Sequence, residues 1–493
     1  MVQAVQETNA VAGSGLAPGA RKLSTTALRA RFAARLSHLY GTEVPAYNQL
    51  VQTSQEVNER VLRREGADAE RLGSIARVTA ERHGAIRVGS AREMRQVRQI
   101  FAALGMFPCG FYDLRDAAPA PVPVISTAFR PLQRDELAAN PFRVFTSMLV
   151  PEDRRFFDTD LERRLKRFID ARQLFPPELL ALADRASDHG ELPQPEADRF
   201  LDLAVASFAL SPEPVDRAWY DELERISSVA SDIGGVASTH INHLTPRVLD
   251  IDDLYTSMQA QGIEMIDQIQ GPPRWSGPDV LLRQTSFRAL AEPRRFRDAD
   301  GSIATGDLRV RFGEVEARGI ALTTSGRDLY EQLVGEVDAR LRDSTDGSRQ
   351  TVAQAVWSER MPTTERDLCV RGLGFFAYTQ TTDDRIGALT VQQRDDARRA
   401  AGDADAATLV ELGLLEPKPI VYEDFLPRSA AGIFASNLSS TGGRDTDQGG
   451  DGRDLGWMSD MLEHEVAVPE QVYAAESAYS LDAAVAALSG ALN

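Results

Sequence analysis

The stretch HGAIRV, residues 83–88, returns later in the chain as HLTPRV, residues 243–248. Each is followed by a helical pattern and then by a second match, in which TAFRPL at 127–132 corresponds to TSFRAL at 285–290. The histidine precedes the threonine of the second match by 44 residues in one copy and by 42 in the other. Two matches in the same order, at nearly equal spacing, indicate an internal repeat.

Each copy has the pattern of a βαβββ unit, with short apolar or alternating runs around one amphipathic helix. The units are predicted at 67–149 and 233–330, with a helical insertion at 150–232 between them. Two such units can curl into one half-open barrel, so the predicted fold class is α+β. The other predicted segments are a flexible tail at 1–24, a helical lead-in at 25–66, a mainly helical C-terminal region at 331–439, and a mobile loop followed by a helix at 440–493.

Composition excludes several classes of protein. The net charge of −18 over 493 residues argues against a nucleic-acid partner, because phosphate binding needs a basic face. No apolar run approaches the roughly 18 residues of a membrane-spanning helix, and no secretory signal pattern opens the chain. Cys109 and Cys369 lack the spacing of a disulfide framework or zinc cluster. We therefore expect a cytoplasmic protein; the sequence predicts no particular oligomeric state.

The two repeated histidines are candidate metal ligands. Alternate residues of a strand share a face, so His83 and Arg87 point the same way, as do His243 and Arg247. A lone strand histidine is usually an ordinary polar residue, but its repetition at equivalent positions favours a functional role. Two inward imidazoles could hold one divalent metal if an anionic ligand completes the set and other positions stay open.

The run RFGEVEARGIAL, residues 311–322, offers that anionic ligand twice. Glu314 and Glu316 alternate onto one face, and periodicity does not choose between them. The corresponding run of the first copy, residues 140–150, has no carboxylate, so one metal site is expected. Two histidines and one carboxylate favour Fe(II), although catalytic zinc sites also use this set.

Two arginines and a third histidine have competing interpretations. Arg87 and Arg247 are candidates for binding a substrate carboxylate, because guanidinium makes bidentate contacts with that group. An ion pair between the two units is the equal alternative for Arg247. His240 has no counterpart in the first copy, so an ordinary polar role is favoured over support of His243.

Two further segments are candidates for contact with substrate. Gln284 could hydrogen-bond substrate if its strand face points into the barrel; otherwise it caps a strand edge. Residues 422–438 contain PRSAAG, whose small residues and backbone N–H groups could close over an anionic ligand. The compatible alternative is a helix start capped by Ser429.

The motifs ERHGAIRVG, NPFRVFTS, HINHLTPR, LLRQTSF, RFGEVEARGIALT and YEDFLP with its following SAAGIF and SNL are long and specific. Over roughly residues 25–440 the chain resembles the 2-oxoadipate dioxygenase/decarboxylase family, also called 2-hydroxyglutarate synthase. That family is similar in architecture to the vicinal oxygen chelate superfamily, in agreement with a barrel of two units.

The resemblance implies an Fe(II) enzyme that converts 2-oxoadipate and O₂ to 2-hydroxyglutarate and CO₂ in bacterial lysine catabolism. It implies His83, His243 and Glu316 as iron ligands, with Glu316 preferred to Glu314, and catalysis by both histidines and Arg87. Arg428 stands where a valine is usual. The predicted substrate contacts are His83, Arg87, His243, Gln284, Arg428 and Ser429. The alternatives are a non-redox metal-dependent lyase or isomerase, or a ligand-binding protein, on the same scaffold.

Overall fold

A computed structural model describes residues 22–117, 121–289, 292–308, 311–343, 348–381, 383–426 and 452–492. Its strands are β1 (Lys22–Ser24), β2 (Arg82–Val88), β3 (Phe107–Asp113), β4 (Val124–Arg130), β5 (Arg143–Leu149), β6 (Glu191–Pro193), β7 (Val215–Asp216), β8 (His243–Pro246), β9 (Leu282–Phe287), β10 (Glu292–Arg297), β11 (Ile303–Leu308), β12 (Gly313–Arg318), β13 (Phe376–Gln380) and β14 (Leu415–Pro419).

The helices are α1 (Thr25–Glu43), α2 (Pro45–Glu65), α3 (Ile75–Ala80), α4 (Ala91–Ala102), α5 (Arg134–Ala139), α6 (Thr159–Ala171), α7 (Pro177–His189), α8 (Gln194–Ser207), α9 (Arg217–Glu224), α10 (Ser228–Gly234), α11 (Ile251–Ala260), α12 (Thr324–Asp343), α13 (Arg349–Arg360), α14 (Glu365–Val370), α15 (Asp383–Gly387), α16 (Val391–Gly402), α17 (Ala406–Glu411), α18 (Leu455–Leu462) and α19 (Pro469–Leu492). The predicted combination of helices and sheets is confirmed. No helix in the described ranges is both long and apolar enough to cross a membrane.

The helices of the two repeat copies, α4 and α11, begin and end by the same devices. Ser90 caps α4 by accepting the N–H of residue 93, and Asp250 caps α11 by accepting the N–H of residue 253. After each helix the chain turns at a glycine in the left-handed region, Gly105 with φ of 65° and Gly262 with φ of 79°. A Cβ would be strained there, which explains why each copy keeps a glycine at this place.

The strands of the repeat pair in one continuous order. The main sheet runs β3-β4-β5-β2-β8, and β8 continues to β12 through a parallel bridge between Arg247 and Glu316. Strand β12 then pairs antiparallel with β9. Each copy thus places its first strand beside its last, and the antiparallel pair β2/β8 joins the copies.

A local two-fold relation is visible in the register of β2 and β8. His83 lies opposite Thr245, and His243 lies opposite Ala85. Because residues 83 and 243 correspond in the repeat, as do 85 and 245, each histidine faces the same repeat position of the other copy. The pairing therefore brings both histidines together where the two copies join, with ring centroids 5.2 Å apart.

The register also identifies what the first copy has in place of a carboxylate. Thr146 lies opposite the threonine of TAFRPL, and Val315 lies opposite the threonine of TSFRAL. The preceding residues, Phe145 and Glu314, consequently occupy equivalent positions. The first copy carries an aromatic ring where the second carries an acid.

Helices cover both faces of the sheet. Val88, Val144 and Met148 belong to the same apolar core as residues of α4, α1 and α8, whereas Ala85 and Phe145 belong to a core with residues of α6 and α10. Burial of each large apolar side chain contributes about 1.5–3 kcal/mol. Helices α6 and α10 of the insertion therefore close the face of the sheet that carries His83.

Several elements differ from the sequence prediction. Lys22–Ser24, assigned to the tail, form β1, which pairs with β6 and buries Leu23. The hairpin β10/β11 interrupts the second copy between β9 and β12, and β10 pairs with β7 of the insertion. In the region predicted to be mainly helical, β13 and β14 pair with each other, and β13 packs on α19. The domain boundaries themselves stay predictions.

Candidate metal centre

His83 on β2, His243 on β8 and Glu314 on β12 form the one group of metal-ligand side chains found among the described residues, and all three are buried. One donor atom from each lies within 4.8 Å of the others. His83 Nε2 is 3.3 Å from Glu314 Oε2, and His243 Nε2 is 3.7 Å from Glu314 Oε1. Two imidazole nitrogens and one carboxylate suit Fe(II) or catalytic zinc, with coordination positions left for substrate, so the residues present fit a metal ion.

Glu316 occupies a different place, behind His83. Its carboxylate accepts from Arg318 Nε at 2.7 Å and Nη2 at 2.9 Å, and its Oε2 lies 2.8 Å from His83 Nδ1. A carboxylate held by a bidentate guanidinium, and facing the far nitrogen of a ligand ring, supports that ring instead of the metal. The geometry therefore favours Glu314 as the third donor. The preference for Glu316, which rested on the His-to-Glu spacing of the resembled family, stays a prediction.

The protonation of these groups follows from burial and charge. Burial lowers the pKa of His243 to about 4, so its ring is neutral and able to ligate. Burial also opposes a charge on His83, but Glu316 and Glu314 raise its pKa above the usual value. Burial would raise the pKa of Glu314, yet His243 and His83 hold it below its ordinary value. Glu314 is thus an anionic donor.

Aromatic rings form the walls around the two histidines. Phe425 meets the His83 ring edge to face with centroids 5.0 Å apart, and Phe312 stacks on His243 at 5.5 Å. Phe145 packs against Phe425, again at 5.0 Å. These rings give the candidate metal centre an apolar surface that is suited to methylene groups.

Polar side chains complete the lining next to Glu314. Gln284 Nε2 donates to Glu314 Oε2 at 3.4 Å, and Gln284 Oε1 is buried without a hydrogen-bond partner in the part of the chain that the structure describes. Thr245 Oγ1 also donates to Glu314 at 3.4 Å and lies 3.1 Å from His243 Nδ1. Gln284 therefore lies beside the candidate ligands, and its contact with substrate stays a prediction.

The predicted carboxylate-binding arginines have separate partners. Arg87 Nη1 donates to Asp232 Oδ2 at 2.5 Å, in contact with the helical insertion. Arg247 donates to Glu81 at 3.0 Å and to the carbonyl of residue 72. Because Glu81 belongs to the first repeat unit, this contact is an ion pair between the two units. His240 lies beside Asp232, with Nε2 3.4 Å from Oδ1, and not against His243.

The segment 422–426 reaches the candidate metal centre from the C-terminal region. Asp424 accepts both Nε and Nη2 of Arg130, at 2.8 and 2.9 Å, and Glu423 accepts from Arg143 at 2.5 Å. The hydroxyl of Tyr473, on α19, accepts the Glu423 N–H at 2.7 Å and donates to Asp424. These contacts fix the backbone that carries the Phe425 ring.

Some predicted residues lie elsewhere, and some functional residues were missed. Arg428 and Ser429, with the rest of 427–438, lie outside the described residues. Asp232, Phe425 and Tyr473 were missed because they come from the insertion and the C-terminal region, which have no repeat pattern to align them. The YEDF motif, residues 422–425, was noted only as part of a segment that could close over the ligand.

Comparison with known proteins agrees with this geometry. The sequence profile of 2-oxoadipate dioxygenase/decarboxylase matches residues 32–437. The chain is 51% identical over 458 residues to the 2-oxoadipate dioxygenase/decarboxylase of Mycobacterium tuberculosis, covering 92% of this chain and 97% of that one. It is 38% identical over 425 residues to the protein of that name from Pseudomonas putida, covering 84% and 88%.

A solved structure extends the likeness to the fold. Hydroxyglutarate synthase from Pseudomonas putida, in complex with 2-oxoadipate, superposes with a TM-score of 0.76 at 33% sequence identity, covering 96% of this chain and 99% of that one. The profile match, the sequence identities and the superposition extend over nearly the whole chain, including all three candidate ligands. The chain belongs to the 2-oxoadipate dioxygenase/decarboxylase family.

Proposed function

We propose that this protein is an Fe(II)-dependent dioxygenase that converts 2-oxoadipate and O₂ to 2-hydroxyglutarate and CO₂. The observation that carries the proposal is the buried set of His83, His243 and Glu314 in a chain of this family. The reaction balances, since both oxygen atoms enter products: one in the new carboxylate and one in the hydroxyl group. The metal identity rests on the donor set together with the need to reduce O₂.

A bound Fe(II) would supply open coordination positions and a redox-active centre through which the 2-oxo acid, the net electron donor, reduces O₂. The residues of the chain provide the rest. Glu314, ionised despite its burial, balances part of the metal charge, and Thr245 holds both Glu314 and His243 in orientation. Arg87 binds a substrate carboxylate, and the Oε1 atom of Gln284 accepts a hydrogen bond from substrate or from a bound water.

Exclusion of water is the second contribution of the protein. The rings of Phe425, Phe312 and Phe145 pack on and beside the histidines and offer an apolar surface to the methylene chain of a dicarboxylic acid. A dry, closed site protects reactive species from side reactions with solvent. The segment 422–438 would close this site, with Arg428 and Ser429 adding contacts to substrate.

The two repeat copies are proposed to be paired βαβββ modules of a vicinal oxygen chelate-like half-open barrel. The shared register of Phe145 and Glu314 and the two-fold pairing of β2 with β8 support this interpretation. A role in bacterial lysine catabolism and a cytoplasmic location belong to the same proposal, and both rest on the family resemblance.

The test is anaerobic loading with Fe(II), followed by measurement of O₂ uptake with 2-oxoadipate and mass detection of the product. We expect one O₂ consumed per 2-hydroxyglutarate formed, and loss of both signals in His243→Ala. Loading with Zn²⁺ is the matched control and should give neither signal. Turnover with Zn²⁺, or no O₂ uptake by fully iron-loaded protein, would instead favour a non-redox metal enzyme or a binding protein.

A further inference from the structure

The buried carboxylate of Asp232 lies next to the candidate substrate arginine, and no function has so far been assigned to it. It comes from α10, a short helix of the insertion whose residues are all buried. Its Oδ2 accepts from Arg87 Nη1 at 2.5 Å and from Asn242 Nδ2 at 2.9 Å. His240 Nε2 lies 3.4 Å from the other carboxylate oxygen and 3.2 Å from Asn242 Nδ2.

These contacts connect the carboxylate to both repeat copies. Arg87 belongs to β2, the strand of the first metal-ligand histidine, whereas His240 and Asn242 belong to HINH, the motif that ends with the second. HINH therefore has two roles: His243 faces the metal position, and the residues before it surround Asp232. Residues 240–243 thus connect the candidate metal position to Asp232 and, through it, to Arg87.

The contacts of Asp232 are more specific than is needed to neutralise the charge of Arg87. A buried guanidinium needs a counter-charge, but any nearby carboxylate would supply one. Here the carboxylate itself accepts a hydrogen bond from Asn242, and the His240 ring lies beside its other oxygen, so the direction of the Arg87 contact is fixed. An arginine that is held before substrate arrives loses less side-chain entropy on binding, and its planar group is already oriented.

We infer that Asp232, held by Asn242, is a positioning residue that orients Arg87 to receive a carboxylate of the 2-oxo dicarboxylic acid. The inference rests on the proposed function and deepens it, because it gives the helical insertion a part in substrate recognition. Asp232 acts through Arg87 and has no role in holding the metal.

The test is a double-mutant cycle on binding of 2-oxoadipate to the Fe(II)-loaded protein under anaerobic conditions, measured by calorimetry. Asp232→Asn preserves the shape of the side chain and removes its charge; we expect a roughly 10- to 100-fold weaker Kd, about 1.4–2.8 kcal/mol. In an Arg87→Gln background the same change should have less than about a two-fold effect, because the residue that it positions is gone. Equal effects in both backgrounds, or unchanged binding by Asp232→Asn, would overturn the inference.

Two further variants separate positioning from folding. Asp232→Glu keeps the charge but moves the carboxylate; it should also weaken binding of 2-oxoadipate, whereas normal binding would mean that charge alone suffices and would overturn the inference. Asp221→Asn, on the exposed side of α9, is the matched control. Affinity for Fe(II) should be the same in all of these variants, which a general loss of structure would not allow.

The inference and the proposed function fail differently. Binding of 2-oxoadipate that depends on Asp232 through Arg87, without O₂ uptake by the wild-type protein, would remove the dioxygenase proposal and leave the positioning role intact. O₂ uptake that yields 2-hydroxyglutarate, with no effect of Asp232→Asn on binding, would leave the activity intact and remove the positioning role.

Discussion

Glu316 and Glu314 face opposite nitrogens of the same ring: Glu316 Oε2 lies 2.8 Å from His83 Nδ1, and Glu314 Oε2 lies 3.3 Å from His83 Nε2. The two acids are two residues apart on one strand, yet only Glu314 also approaches His243. Glu316 is instead held by Arg318. The two carboxylates therefore have different partners, and their removal should have different effects.

Glu314→Gln should abolish strong metal binding with little loss of fold. The amide keeps the size of the side chain but removes the anionic donor. Affinity for Fe(II) should therefore fall by more than the roughly 10- to 100-fold that is typical when a residue that only supports a metal ligand is changed. Equilibrium dialysis with Fe(II) under anaerobic conditions measures this change. Retention of wild-type affinity would contradict the assignment of Glu314 as a ligand.

Glu316→Gln should act mainly on stability. Arg318 is fully buried, and loss of one partner of a buried ion pair costs about 3–5 kcal/mol. Affinity for Fe(II) should fall by only about 10- to 100-fold, through the looser His83 ring. Urea unfolding and metal titration of the same variant separate these effects. A larger loss of metal affinity than in Glu314→Gln would restore Glu316 as the ligand.

Tyr473→Phe should loosen the segment that carries Phe425. The change leaves the Glu423 N–H without its acceptor and removes one donor to Asp424, at a cost of about 1–3 kcal/mol in the free energy of unfolding. We also expect a weaker apparent affinity for 2-oxoadipate. Tyr479→Phe is the matched control, because Tyr479 lies on the same helix and is 78% exposed. Equal behaviour of the two variants would argue against this contact.

His240 should make the protein less stable in mild acid. Burial lowers the pKa of its ring to about 4, from an ordinary 6.5 in the unfolded chain. As pH falls from 6.5 towards 4, the unfolded chain takes up a proton that the folded protein does not, so stability falls, by on the order of 3 kcal/mol. Denaturant unfolding between pH 7 and 4 should show that the free energy of unfolding falls less steeply with pH in His240→Asn than in the wild-type protein. His38→Asn, exposed on α1, is the control, and equal slopes for the two variants would contradict the assignment.

Removal of the metal should lower the melting temperature. A ligand at 100 times its Kd stabilises the folded protein by about 2.7 kcal/mol if the unfolded chain does not bind it. Scanning calorimetry of the Fe(II)-loaded protein, before and after chelation, should show this difference. His243→Ala should show no difference between the two conditions. A wild-type melting temperature that chelation leaves unchanged would argue against a metal at this position.

The repeat made much of the central sheet predictable from sequence. Equivalent histidines, helix caps and glycines recur because both copies pack a strand and a helix in the same way. Alignment of the copies therefore picked out His83 and His243 as candidate metal ligands. Glu314 could not be chosen over Glu316 in this way. Side chains of one strand face have the same periodicity. The two acids are distinguished by tertiary contacts, of Glu314 with His243 and of Glu316 with Arg318.

The residues outside the repeat were harder to predict for a physical reason. Asp232 contacts Arg87, Phe425 contacts His83 and Tyr473 contacts Glu423, each through tertiary packing across a long stretch of sequence. Local patterns of polarity report which residues are buried, but they do not report which distant segment covers them. The hairpin β10/β11 was missed similarly, because its pairing with β7 joins two segments of different predicted type.

The antiparallel pair β2/β8 has a consequence for the order of folding. Its two strands lie on either side of the whole helical insertion, so the chain must close a loop of more than 150 residues before His83 and His243 can meet. Contacts of such high sequence separation form slowly. Acquisition of metal affinity should therefore be a late event in refolding, and time-resolved metal uptake would report completion of the native topology.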